Sequence, residues 1–294
     1  MSQAIGLIKT MRPKQWIKNV FIFAAIVFDR QLLHFDALLH TLATFVAFCL
    51  ISSTVYLIND LVDIEKDRQH PTKRQRPLPS GQLKPSIAIA AAIIIPLIIL
   101  PLATLIDLEL GIIMVAYLGM MVAYSFFLKH FVIIDVMTIA AGFVLRVAAG
   151  VVVIDVARFS PWLYVCMTLL ALFLGFGKRR HELFTLQENA NSHRVSLEHY
   201  SLELIDQMTV VVASAAVMGY SLYTFSAENL PRPDGQPLMM VTIPFVLYAL
   251  FRYQYLVHVR KMGGTPEEIV LGDPPFLVSL LLFGTTVLVL MYLF

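Results

Sequence analysis

Asn59, Asp60, Asp63 and Asp67 form an acidic cluster at the end of a long apolar run. If the run continues as an α-helix, Asp60, Asp63 and Asp67 fall within an arc of about 60° on one face. Asn59 lies at the edge of that arc, while Glu65 and Lys66 point elsewhere. Carboxylates on one stripe repel one another unless a cation neutralises them. Mg²⁺ suits such a stripe, because it takes few carboxylate oxygens and completes its shell with water and phosphate. The pattern therefore predicts a metal site at Asp60, Asp63 and Asp67 that holds a diphosphate. The plainer alternative is a solvated helix end with ordinary surface charges. It is disfavoured because Asn59 and Asp60 directly follow the apolar run, at a depth where bare carboxylates are costly.

Basic side chains follow at once. Lys73, Arg74 and Arg76 stand between Pro71 and Pro77, and Pro71 is expected to stop the acidic helix. An acidic, metal-loaded stripe facing a basic cluster grips phosphates from two sides. Attraction of a polybasic loop to anionic lipid is the alternative. Further candidates for substrate contact are Lys18 near the N-terminus and Tyr124, Lys129 and Asp135 around a short turn. Arg146 is another, a charge inside an apolar run and so a functional candidate by default, though a structural ion pair would also explain it. It follows Asp135 by three helical turns on nearly the same face. Lys178, Arg179 and Glu182 open a later polar segment, as a phosphate site or a membrane anchor, with Gly175 and Gly177 before them. The histidines show no His-Glu-x-x-His spacing, and there is no Gly-rich phosphate loop or Gly-x-Ser-x-Gly elbow. Cys49 and Cys166 fit no metal or disulfide pattern.

The elements that carry these residues must be membrane helices. Of 294 residues, 58% are hydrophobic and only 14% charged, with a mean hydropathy of +0.76. A soluble domain carries about a quarter charged residues, so lipid must cover what polar side chains cannot. Runs of about 20 apolar residues lie near 16–34, 37–58, 86–106, 110–128, 132–153, 161–177, 207–226, 238–257 and 276–294. They predict nine transmembrane helices in a single polytopic domain, 1–294. Continuous rather than alternating runs exclude a β-barrel. The first run is read as a retained helix rather than a secretory signal, since it ends in Val27-Phe28-Asp29-Arg30 without a small-residue cleavage site. Arg30, Arg158 and Arg232 fall on one side and Arg146 within a run, while nearly all other Lys and Arg fall on the N-terminal side. The positive-inside rule puts that side, with the acidic cluster, in the cytosol. The expected location is the inner (plasma) membrane.

These residues resemble the UbiA superfamily of membrane prenyltransferases, whose first Asp-rich motif is similar to Asn59-Asp60-x-x-Asp63-x-x-x-Asp67. Within it, the phosphoribosyl-transferring branch is similar at Arg12-Pro-x-Gln-Trp-x-Lys-Asn19, Tyr56-Leu-x-Asn-Asp60 and Asp67-Arg-x-His-Pro-Thr-Lys-Arg-x-Arg-Pro77. The likeness continues at Leu128-Lys-His130, Gly177-Lys-Arg179, Ser196-Leu-Glu-x-Tyr200, Ile243-Pro-Phe245 and Pro266-Glu-x-Ile269. The resemblance implies nine helices around a central cavity, with Mg²⁺ and diphosphate near the cytosolic face. It also implies catalysis at Asp60, Asp63 and Asp67. Ordinary members carry a second Asp-rich motif where this chain reads Gly177-Lys-Arg-Arg-His-Glu182, a basic patch suited to an additional phosphate. The expected reaction moves 5-phosphoribose from phosphoribosyl diphosphate to a polyprenyl phosphate, as a cell-envelope arabinan precursor. The alternatives are prenyl transfer from a prenyl diphosphate to an aromatic acceptor, and a transporter without enzymatic activity. Partners are the two substrates and the lipid bilayer, with a homo-oligomer left open and no nucleic acid expected.

Overall fold

The computed structural model describes residues 3–69, 73–154, 156, 160–188, 199–262, 269 and 272–294, with the backbone alone at 185–188. Pro71 as a helix stop, His70, Arg158, His193 and the resembling stretches at 196–198 and 266–268 lie outside the described residues. All regular structure among the described residues is helical, as expected where backbone groups must bond within their own segment.

Among the described residues, eight helices are long and apolar enough to cross a membrane. They include α3 (Phe35–Val62), α5 (Pro85–Ile106), α6 (Leu108–Phe126), α7 (Ile134–Val152) and α8 (Pro161–Glu188). The others are α9 (Leu202–Ser226), α10 (Ile243–His258) with the 3-10 turn before it, and α11 (Pro274–Leu293). The expected ninth, the first run, differs. After α1 (Gln3–Met11), Pro13–Phe23 winds as a 3-10 helix and only Ala24–Phe28 (α2) is α-helical. Trp16, Asn19 and Ile22 repeat every third residue and each faces a neighbouring helix, which favours three residues per turn over 3.6. At 3-10 and α rises, Pro13–Phe28 still reaches about 30 Å, the thickness of a hydrocarbon core.

Two further boundaries depart from expectation. The acidic helix is not continuous: α3 ends at Asp63 (φ −94, ψ 8) and α4 (Ile64–Gln69) follows. Helical bonding nevertheless crosses the break, since Asp63 N–H donates to the Asn59 carbonyl at 3.0 Å and Asp67 N–H to that of Asp63 at 2.8 Å. The sixth run was expected to end at 177, but α8 continues to Glu188. Lys178, Arg179 and Glu182 therefore sit on a helix and not in a loop.

The chain divides into two compact units. Unit 1 comprises Met1–Ile26, Gln31–Thr138 and Leu145–Val156. Here α3 packs against the 3-10 segment, α1, α5 and α6, burying Phe48, Ile51 and Leu57 completely. Helix α5 turns Leu97 and Leu105 outward, the pattern of a lipid-facing helix. Unit 2 comprises Val27–Arg30, Ile139–Val144 and Ala157–Phe294. Its α8 pairs with α9 and its α10 with α11 around Phe173, Leu250, Tyr253, Leu256 and Phe276. Gly177 makes this approach feasible, because a Cβ there would lie 2.5 Å from the Tyr253 hydroxyl.

Candidate active site

Asp60 lies on the last turn of α3, only 1% exposed. Such a carboxylate needs counter-charge, and two arginines supply it. Arg12 Nη2 donates to Asp60 Oδ1 at 2.5 Å and its guanidinium stacks 5.0 Å over the Tyr56 ring, one turn earlier on α3. Arg76 Nη1 donates to the same Asp60 oxygen at 3.2 Å and to Asp67 Oδ2 at 2.7 Å. Arg76 thus bridges the two buried carboxylates of the stripe, Asp67 being 3% exposed. Lys73 stands 3.9 Å from Asp67 Oδ1. The break at Asp63 turns that side chain toward a different element. Its two oxygens accept from Lys129 Nζ at 3.0 and 3.1 Å, in the turn between α6 and α7.

The structure therefore brings Asp60, Asp63, Asp67, Lys73, Arg76 and Lys129 into one charged cluster in unit 1. Asn59 is half-buried beside Asp60, and Arg74 is exposed. Among the described residues, no three Asp, Glu, His or Cys side chains are gathered at metal-ligand spacing. Each carboxylate instead meets a cationic side chain. The donor chemistry still fits Mg²⁺, which needs only one or two carboxylates and draws the rest of its shell from phosphate and water.

Other expected site residues are placed differently. Tyr124 is half-buried on the last turn of α6, and Lys18 donates to Gln15 Oε1 at 2.5 Å. Asp135 is fully buried, and its Oδ1 accepts from Val136 N–H at 2.8 Å. Arg146 does not meet the acidic stripe in its described bonds. Its Nε donates to Asn19 Oδ1 at 2.7 Å and its Nη2 to the Tyr117 hydroxyl at 2.8 Å. In unit 2, Arg179 is buried to 1% exposure and pairs with Glu182 one turn along α8, while Lys178 Nζ lies 4.0 Å from Glu182. Arg180 grips Asp206 of α9 at 2.6 and 3.3 Å.

Arg12 is the residue that sequence reasoning left out of the site. Its signal was present in the Arg12-Pro-x-Gln-Trp stretch, but 48 residues separate it from Asp60. Asn19 was missed likewise, although a buried amide in an apolar run is a signal of its own.

The family model described as "UbiA prenyltransferase family" matches residues 20–265. The chain is 34% identical over 280 residues to a decaprenyl-phosphate phosphoribosyltransferase of Mycolicibacterium smegmatis, covering 91% of this chain and 86% of that protein. Its counterpart of the same name from Corynebacterium glutamicum is 32% identical over 279 residues, covering 92% and 82%. Among solved structures, a UbiA homolog from Archaeoglobus fulgidus bound to GPP and Mg²⁺ is similar with a TM-score of 0.74. Its identity is 18%, over 97% of this chain and 99% of that one.

Proposed function

The chain belongs to the UbiA prenyltransferase family, and on that premise we propose that it transfers 5-phosphoribose from phosphoribosyl diphosphate to a polyprenyl phosphate. The observation that carries this reading is the 34% identity, over nearly the whole chain, to a relative named as a decaprenyl-phosphate phosphoribosyltransferase. Residues support it as well. Where ordinary members place a second acidic motif, this chain carries Lys178 and the buried Arg179, which suit an added phosphate better than a second metal.

In this reading Asp60, Asp63 and Asp67, with Asn59 beside them, would hold Mg²⁺. When bound, that ion would neutralise charge building on the leaving diphosphate. Arg12, Arg76 and Lys73, released from the carboxylates, bind the diphosphate oxygens, and Lys129 holds Asp63 or turns to the same oxygens. The acceptor phosphate oxygen attacks C1 of the ribose as the C1–O bond to diphosphate breaks, and the bonding pair leaves with the diphosphate. C1 passes through an oxocarbenium-like state, as in other glycosyl transfers. The attacking oxygen is already ionised, so no general base is required. Positioning and electrostatics supply the rate. The positive-inside asymmetry supports an N-terminus and active site on the cytosolic face of the inner membrane, reached by counting the 3-10 segment as a crossing.

Membranes carrying the protein, incubated with labelled phosphoribosyl diphosphate and polyprenyl phosphates of several lengths, are expected to yield an Mg²⁺-dependent labelled lipid. Asp63→Ala is expected to abolish it while the protein remains folded. Full activity in Asp63→Ala would overturn the site. Consumption of prenyl diphosphate with an aromatic acceptor, and none of phosphoribosyl diphosphate, would overturn the donor.

A further inference from the structure

The N-terminal segment is wound unusually for its length. Runs of 3-10 helix beyond three or four residues are uncommon, yet Pro13–Phe23 holds one for 11 residues. At three residues per turn, Trp16, Asn19 and Ile22 lie on one line along the segment, whereas an α-helix would fan them over about 120°. Each point of that line is fastened. Trp16 Nε1 donates to Ser53 Oγ at 3.0 Å. Asn19, 1% exposed, donates to Cys49 Sγ at 3.2 Å and Ser52 Oγ at 3.3 Å. Its Oδ1 accepts from Arg146. The Ile22 carbonyl rests on α7 where Gly150 leaves room, since a Cβ there would lie 2.0 Å from it.

The winding sets how far the segment reaches. From Asn19 to Arg12 is about 14 Å as 3-10 helix and about 10.5 Å as α-helix. Relaxation would withdraw Arg12 by about 3.5 Å, enough to break its 2.5 Å bond to Asp60. Arg12 itself is held in the left-handed region (φ 55, ψ 62), which disfavours a residue with a Cβ. The carbonyl just before it, Met11 O, lies 3.0 Å from Ser53 Oγ, whose single proton it shares with the Cys49 carbonyl at 2.6 Å.

We infer that Asn19, gripped by Arg146, is a positioning residue: it keeps the 3-10 segment stretched so that Arg12 reaches the diphosphate site at Asp60. This rests on Arg12 contacting diphosphate as read above, and it gives the intramembrane Arg146 a role at a distance from substrate.

The test is a double-mutant cycle read by calorimetric binding of inorganic diphosphate with Mg²⁺ to the purified full chain. Asn19→Ala is expected to weaken binding about tenfold and Arg12→Ala at least as much, with the double variant no weaker than Arg12→Ala alone. In turnover, Asn19→Ala raises the donor KM and leaves the acceptor KM and kcat near wild type. Multiplicative losses in the double variant, unchanged binding in Asn19→Ala, or no diphosphate binding by the wild type would each overturn the inference. If Asn19→Ala is not recovered folded, Trp16→Phe, which removes the bond to Ser53 and keeps a smaller aromatic side chain, carries the same cycle. Inorganic diphosphate is common to every donor considered, so a wild type that makes no phosphoribosyl lipid refutes the donor and leaves the cycle readable.

Discussion

Arg76 is the cation whose removal separates a structural ion pair from a stand-in for metal. It bridges Asp60 at 3.2 Å and Asp67 at 2.7 Å, and both carboxylates are almost fully buried. Arg76→Gln keeps a polar side chain and deletes the charge. At an effective dielectric of 20, the pairs at these distances are worth about 5–6 kcal/mol each of Coulomb energy before desolvation. Removing one partner of a fully buried pair costs about 3–5 kcal/mol, and an exposed pair about 0–1. The Arg76 side chain is 31% exposed, which places the loss near 2 kcal/mol, or roughly 5 °C in melting temperature. That loss applies to metal-free protein, where among the described residues Arg12 still pairs with Asp60 and Lys73 stands near Asp67. Added Mg²⁺ replaces the missing charge, so the deficit should shrink by more than half. The assay is thermal unfolding of wild type and Arg76→Gln in detergent, with chelator and with millimolar Mg²⁺. An equal deficit in both conditions would refute the idea that metal and Arg76 compete for the same carboxylates.

Two other outcomes follow from local geometry. Ile133 sits at φ 69, ψ −48 in a three-residue turn closed by Ile134 N–H to Val132 O at 2.8 Å, a strained hand for a β-branched residue. Relief of about 1–2 kcal/mol, less the entropy glycine adds to the unfolded chain, predicts that Ile133→Gly raises the melting temperature by a few degrees while Ile133→Val leaves it unchanged. Asp273 caps α11 by accepting from Phe276 N–H at 2.9 Å, and the Arg252 guanidinium that grips it holds its carboxyl below the usual carboxylate range. A depressed carboxyl contributes stability that is present above the unfolded value near pH 4 and lost as pH falls through the folded value. Melting temperature should therefore drop more steeply below about pH 4 in wild type than in Asp273→Asn.

What the sequence made legible was charge placed where charge is costly. A carboxylate at the end of an apolar run, or an arginine inside one, announces itself because lipid offers it nothing. The acidic stripe and Arg146 stand out on that ground, the basic turn by adjoining the stripe and Lys129 by its place in a membrane-edge turn, and the structure groups the stripe with Lys73, Arg76 and Lys129. Partners are another matter, since they are fixed by packing between segments far apart in the chain. Arg146 shows the difference. Its charge was visible, but its holders, Asn19 and Tyr117, lie 127 and 29 residues away, and helical spacing could offer only Asp135 in their place. The first run shows it again. Hydropathy counts apolar residues and is blind to winding, so it finds the run but not its 3-10 helix, which the period of three in Trp16, Asn19 and Ile22 marks. The end of α8 failed for the opposite reason. Polar residues there predict a helix end, yet Arg180 is held by Asp206 across to α9 and Arg179 is buried beside Glu182. A helix carries charge onward when a neighbouring helix supplies the counter-charge, and composition along one segment cannot reveal what its neighbour brings.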